Sequence, residues 1–98
     1  MLYEIIGISR ASTMNEVRDI VRVVGNQILS RGGVIRDVEW MGRAYLPKLI
    51  SKNQQNHAIG HHFSIVFDGG PGLQMDVHKT LKVDPRMVRA TIFKVGGK

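Results

Sequence analysis

The sequence predicts an α+β fold, a ferredoxin-like split βαβ sandwich in which two helices cover one face of a four-stranded antiparallel sheet. Three observations carry that prediction. A β-branched apolar run opens the chain, two segments repeat apolar residues at helical spacing, and the stretches after each helix alternate with the period of a strand. Their order is strand, helix, strand, strand, helix, strand, and right-handed crossovers make the split βαβ arrangement the leading solution.

Leu2 to Ser9 is apolar apart from Glu4, as suits a central strand. Thr13 with Glu16 three residues on is a capping-box pattern, followed by Met14, Val17, Val21, Val24 and Ile28 at spacings of three and four. Arg18, Asp19, Arg22 and Asn26 fall off that stripe and are expected to face water. Gly32-Gly33 can supply the left-handed residue that ends a helix. From Val34 the period becomes two: Val34, Val38, Trp40, Ala44 and Leu46 lie on one side, with Asp37, Glu39, Arg43 and Tyr45 on the other. That predicts a half-buried second strand, with Gly42 as its bulge and Pro47 placing it at a sheet edge.

Ser51 to Asn56 reads as an exposed loop, and Ile59, Phe63, Ile65 and Phe67 as the third strand. Gly69-Gly70-Pro71-Gly72 turns the chain into a helix showing Leu73, Val77 and Leu81, which Asp84-Pro85 ends. Val88, Ala90 and Ile92 alternate with Arg89, Thr91 and Phe93 in the fourth strand. The domain is expected to run over 1–95, with 96–98 as a flexible end.

A chain of 98 residues is one domain, and this size buries roughly 60–65% of its unfolded surface. Fourteen Lys/Arg against eight Asp/Glu give a net charge of +6, spread along the chain, which favours a polyanionic partner such as RNA. There is no cysteine, so disulfides and thiolate metal sites are excluded. No apolar run approaches the roughly 18 residues of a membrane span, and no cleavable presequence is evident.

Local motifs suggesting catalysis or cofactors have plainer explanations. His57, His61 and His62 straddle a loop and a strand, where their spacing does not suit a metal, so none is predicted. The Gly-Pro turn lacks the Lys-Ser/Thr pair of a phosphate loop, and no cofactor or small-molecule substrate is expected. Asp37 and Glu39 beside Arg36 and Arg43 read as ordinary salt-bridge formers. Trp40, in register with Val38 and Leu46, is expected to pack in a core or partner interface ahead of stacking on a base.

The weightiest cluster is Arg43, Tyr45, Lys48, Lys52, Arg86 and Arg89. Cations interleaved with an aromatic on an extended strand suit a nucleic-acid surface, although edge-strand cations also discourage sheet-to-sheet aggregation.

Five segments in order, Leu2-Tyr3-Glu4-Ile5-Ile6-Gly7, Gly32-Gly33-Val34-Ile35, Met41-Gly42-Arg43-Ala44-Tyr45-Leu46, Gly60-His61-His62-Phe63 and Asp84-Pro85-Arg86-Met87-Val88-Arg89, resemble the bacterial-type small-subunit ribosomal protein six family. Tyr45-Leu46-Pro47-Lys48 is most similar to its fungal mitochondrial version. The resemblance implies a non-enzymatic protein of the mitochondrial small ribosomal subunit, in the matrix, that binds small-subunit rRNA on the platform and pairs with small-subunit ribosomal protein eighteen. Arg89 matches a basic residue facing rRNA in the family, and Arg86, Arg43 and Lys52 are grouped with it as rRNA-binding candidates. Gly42 and Leu46 match the motif adjoining the protein partner, with Tyr45 and Lys48 beside them. Where the family commonly reads Leu-Ala-Tyr, Leu46 is followed by Pro47 and Lys48. Ala44 stands where the family usually has an arginine, and Arg43 precedes it.

Two other classes share the topology. An RNA-recognition-motif module is echoed loosely by Gly60-His61-His62-Phe63-Ser64-Ile65-Val66-Phe67, without a convincing second aromatic on the first strand. An acylphosphatase-like hydrolase would need a glycine-rich phosphate cradle before the first helix, which the sequence lacks.

Overall fold

The computed structural model describes residues 1–52 and 55–95; for 46–52 and 55–58 only the course of the backbone is considered. The expected flexible end at 96–98 and the side chains of Leu46, Pro47, Lys48, Lys52 and His57 lie outside the described residues. The elements run β1 (Leu2–Arg10), α1 (Met14–Ser30), β2 (Val34–Lys52), β3 (Gln55–Asp68), α2 (Pro71–Val83) and β4 (Met87–Val95). They form one antiparallel sheet of order β2-β3-β1-β4, the split βαβ arrangement that the sequence predicts.

The pleat decides what is buried. In β1 and β3 the odd-numbered residues Tyr3, Ile5, Phe63, Ile65 and Phe67 turn under the helices, where they meet Val17, Ile20, Val24 and Ile28 of α1 and Leu73, Val77 and Leu81 of α2. The Tyr3 and Phe67 rings lie 5.5 Å apart at a tilt of 31°. Gly7 sits opposite Phe63, and a Cβ on it would come within 2.4 Å of the Phe63 ring tip. The absent side chain is therefore the space that the ring fills.

Helix α1 starts as a capping box only in part. Thr13 Oγ1 accepts the Glu16 amide at 3.4 Å, but the Glu16 carboxylate does not return to the Thr13 backbone. It accepts instead from Arg10 Nε (2.7 Å) and Nη2 (2.8 Å) and from Ser12 Oγ (2.7 Å), which ties the end of β1 to the first turn. The Arg10 hydrogen bonds, opposed by desolvation and helped by Ser12, pull the Glu16 carboxyl down to about 2. The helix ends in a Schellman motif: Gly32, at φ +80°, donates to the Leu29 carbonyl, and Gly33 donates to that of Ile28. Ile20 and not Val21 completes the buried stripe.

Four expectations need correction. Strand β2 is not half buried, because Val34, Val38 and Trp40 are each about half exposed although Val38 and Trp40 pair with the buried Ile65 and Phe63. The helix layer ends short of this edge. The two ends of the expected loop at Ser51 to Asn56 belong to strands, since Ser51 pairs with Asn56 and Lys52 with Gln55, so β2 and β3 run on beyond β1 as a two-stranded arm. Arg36 pairs with Asp68 and not with its strand neighbours, while Asp37, Glu39 and Arg43 form no ion pair among the described residues. In β4 a register shift opposite Ile8 and Ser9 puts Met87 in the main core and leaves Val88 against Ile8 in a separate small cluster. Gly42 is a bulge as expected, with φ +106° at a register shift where open space surrounds its Cα.

Gly7→Ala should destabilise the fold by about 1–3 kcal/mol, because the added methyl has to push the Phe63 ring out of its place in the core. A thermal melt checks this, and an unchanged midpoint would contradict the close approach. The depressed Glu16 carboxyl contributes stability that is complete above its unfolded value near 4.5 and is lost as pH falls towards 2. Denaturant titrations between pH 5 and 2 should therefore show a shallower acid-side decline for Glu16→Gln than for the parent.

Candidate nucleic-acid and protein interfaces

Burial of one sheet face sends the charged groups to the rim, and there they fall into two classes. Arg10, Arg31, Arg36 and Arg86 are held by carboxylates, Arg31 pairing with Asp76 to join the end of α1 to α2. Arg18, Arg22, Arg43, Lys79, Arg89 and Lys94 form no ion pair among the described residues. The second class leaves its charge unpaired by any carboxylate among the described residues.

The predicted rRNA residues are divided by this sorting. Arg86 donates to Asp84 through Nε (3.0 Å) and Nη2 (2.8 Å) and to Asp19 of α1 through Nη1 (2.6 Å). Its backbone amide also donates to Asp84 at 2.9 Å. Hydrogen bonding to Asp84 and then to Asp19 shifts its titration further upwards, against the desolvation of its burial. Arg86 thus staples the α2-to-β4 turn onto α1, and its guanidinium is already occupied. Arg89, three residues on, is exposed and unpaired on the edge strand β4. It lines a shallow groove of about 570 Å³ with His78, Lys82 and Thr91. His78 is fixed beside it through a 3.2 Å contact between Nε2 and the Ala90 carbonyl oxygen.

The other candidates lie on the opposite edge. Gly42, Arg43 and Tyr45 are together on β2, where Arg43, Ala44, Tyr45 and Ile59 line a depression of about 280 Å³. Tyr45 is 79% exposed, and nothing in the core depends on it. The Gly42 bulge shifts the register between Trp40 and the residues after it. Arg43 is therefore grouped in space with the protein-partner candidates and is separated from Arg89 by the width of the sheet. The Leu46, Lys48 and Lys52 side chains lie outside the described residues.

Two features escaped the sequence reading. Arg18 and Arg22 look there like the wet face of an ordinary helix, and only the structure sets them beside the half-exposed Trp40. The buried His61 takes the Trp40 indole N–H on Nδ1 at 3.4 Å and meets the Ser12 carbonyl through Nε2 at 2.7 Å. The His-rich stretch thus builds an aromatic support, and no cluster able to hold a metal forms among the described residues. The RNA-recognition-motif alternative loses its basis, because Phe63 and Phe67 are core residues under the helices and His62, Ser64 and Val66 alternate with them on the uncovered face. No helix among the described residues is long and apolar enough to cross a membrane.

Comparison with known proteins identifies the family and the fold. The family described as Ribosomal protein S6 matches residues 2–94. The small ribosomal subunit protein bS6m of Neurospora crassa is 44% identical over 96 residues, which cover 98% of this chain and 82% of that protein. Its Drosophila melanogaster counterpart of the same name is 33% identical over 93 residues, covering 95% of this chain and 63% of that protein. The crystal structure of 30S ribosomal protein S6 from Thermotoga maritima superposes with a TM-score of 0.81 at 24% identity, over 94% of this chain and 84% of that one, and so bears on the fold. The chain belongs to the ribosomal protein S6 family, a structural component of the ribosome and not an enzyme.

Proposed function

We propose that the protein is a constituent of the mitochondrial small ribosomal subunit, where it binds small-subunit rRNA and pairs with small-subunit ribosomal protein eighteen. The observation that carries this reading is the family match along almost the whole chain, with relatives named as small ribosomal subunit proteins bS6m. The net charge of +6 supports an RNA partner, and the exposed Arg89 on the β4 edge offers a cation to a phosphate backbone. Contacts of this kind position a protein on RNA and read few base edges. The β2 edge, with Gly42, Arg43 and the exposed Tyr45, supports the protein partnership. An unpaired strand beside a projecting aromatic can extend or abut a neighbouring chain.

Filter binding to small-subunit rRNA across a salt series tests the first half. Arg89→Ala should weaken binding and reduce the slope of log K against log salt by about 0.7–0.9, the loss of one phosphate contact, without lowering the melting temperature. Arg86→Ala should lower the melting temperature, because it leaves Asp84 and Asp19 without their guanidinium. A slope untouched by Arg89→Ala would reject its role. Tyr45→Ala should reduce capture of purified small-subunit protein eighteen while the melting temperature stays constant. Parallel losses of stability and capture would argue that Tyr45 serves the fold.

A further inference from the structure

Beyond the end of the helix layer, α1 and β2 enclose a groove of about 390 Å³, within the range of small-ligand sites. Val21, Val38 and Trp40 supply apolar surface, and Arg18, Arg22 and Glu39 supply the charge. Trp40 is 49% exposed, an unusual state for the largest aromatic of a small domain, yet it is firmly held. Its indole N–H is engaged by His61, which is buried and itself fixed to the Ser12 carbonyl. A ring fixed in advance loses little freedom when something stacks on it.

Arg18 and Arg22 are one helical turn apart, so their side chains rise from the same face of α1. Neither forms an ion pair among the described residues, although Glu39 lines the same groove. A wholly apolar occupant would desolvate two guanidiniums without compensation. An occupant combining a flat π surface with adjacent negative charge satisfies both sets of groups, and single-stranded RNA joins them in each nucleotide.

We infer that the α1–β2 groove holds an unstacked nucleotide of a single-stranded RNA segment, its base against Trp40 and its flanking phosphates on Arg18 and Arg22. The inference rests on the rRNA-binding reading above and adds a surface that takes an unpaired base, distinct from the β4 edge. The acidic Glu39 directs the phosphates towards the α1 side of the groove.

Trp40 is the sole tryptophan, so emission excited selectively at tryptophan, clear of the two tyrosines, reports on this groove. The whole chain is titrated with a six-nucleotide oligoadenylate while Trp40 emission is followed, with filter binding to small-subunit rRNA measured in parallel. Saturable quenching is expected. Arg18→Ala with Arg22→Ala should weaken it about tenfold and lower the salt slope by about 1.4, two single-strand phosphate contacts. Trp40→Leu should weaken oligoadenylate retention on a filter by roughly 5- to 100-fold. Both arginines are exposed, so circular dichroism and the melting temperature should be unchanged, and the double Lys variant should retain most of the affinity. Bound rRNA with unaltered Trp40 emission overturns the groove assignment and leaves the rRNA reading intact. Equal quenching in the double Ala variant, or a response of Trp40 to protein eighteen and not to RNA, also overturns it. Failure to bind either RNA overturns both readings.

Discussion

The burial of a single sheet face is the constraint on which the molecule depends. Side chains alternate with a period of two, so sliding β3 by one residue would put Phe63, Ile65 and Phe67 in water and His62, Ser64 and Val66 under the helices. Gly7 reinforces the register, because the Phe63 ring fills the space that a side chain at its position would take. With the centre fixed in this way, charge is kept off the helix-covered face of the sheet. The sheet order then places β2 and β4 at opposite edges, available to different partners.

The rim is organised by what the carboxylates hold. Arg10 and Glu16 join β1 to α1, Arg31 and Asp76 join the two helices, and Arg86 ties Asp84 to Asp19 across the turn into β4. The exposed pair Arg31–Asp76 contributes little to stability, typically below about 1 kcal/mol, whereas the part-buried Arg86–Asp84 pair contributes more, and each fixes where a guanidinium points. Arg18, Arg22, Arg43, Lys79, Arg89 and Lys94 are left without an ion pair among the described residues. A basic protein that keeps several unpaired cations beside exposed aromatics such as Tyr45 and Trp40 is disposed towards a polyanion and a protein neighbour together.

The fold was legible because its determinants are local and periodic. The stripe from Val17 to Ile28, the Gly32-Gly33 stop, the Gly42 bulge and the Leu73, Val77, Leu81 face can each be read within a few residues. Legibility stopped where the outcome depends on the layer above. Alternation along β2 places Val38 and Trp40 on the helix side, but it does not say that α1 packs far enough away to leave a groove over them. The candidate site was legible only as a list of basic residues. Arg86 and Arg89 differ by three positions and have opposite fates, because the turn brings Asp84, and the fold brings the distant Asp19, onto one and not the other. Arg18 and Trp40 are likewise joined only by folding.

The account turns on a rigid sandwich presenting unpaired cations to ribosomal RNA, and a sucrose gradient of lysed mitochondria tests that most directly. The protein should sediment with small ribosomal subunits at physiological ionic strength and leave them as salt is raised, in keeping with a contact dominated by phosphates. Recovery at the top of the gradient at physiological ionic strength, with small subunits otherwise intact, would contradict it.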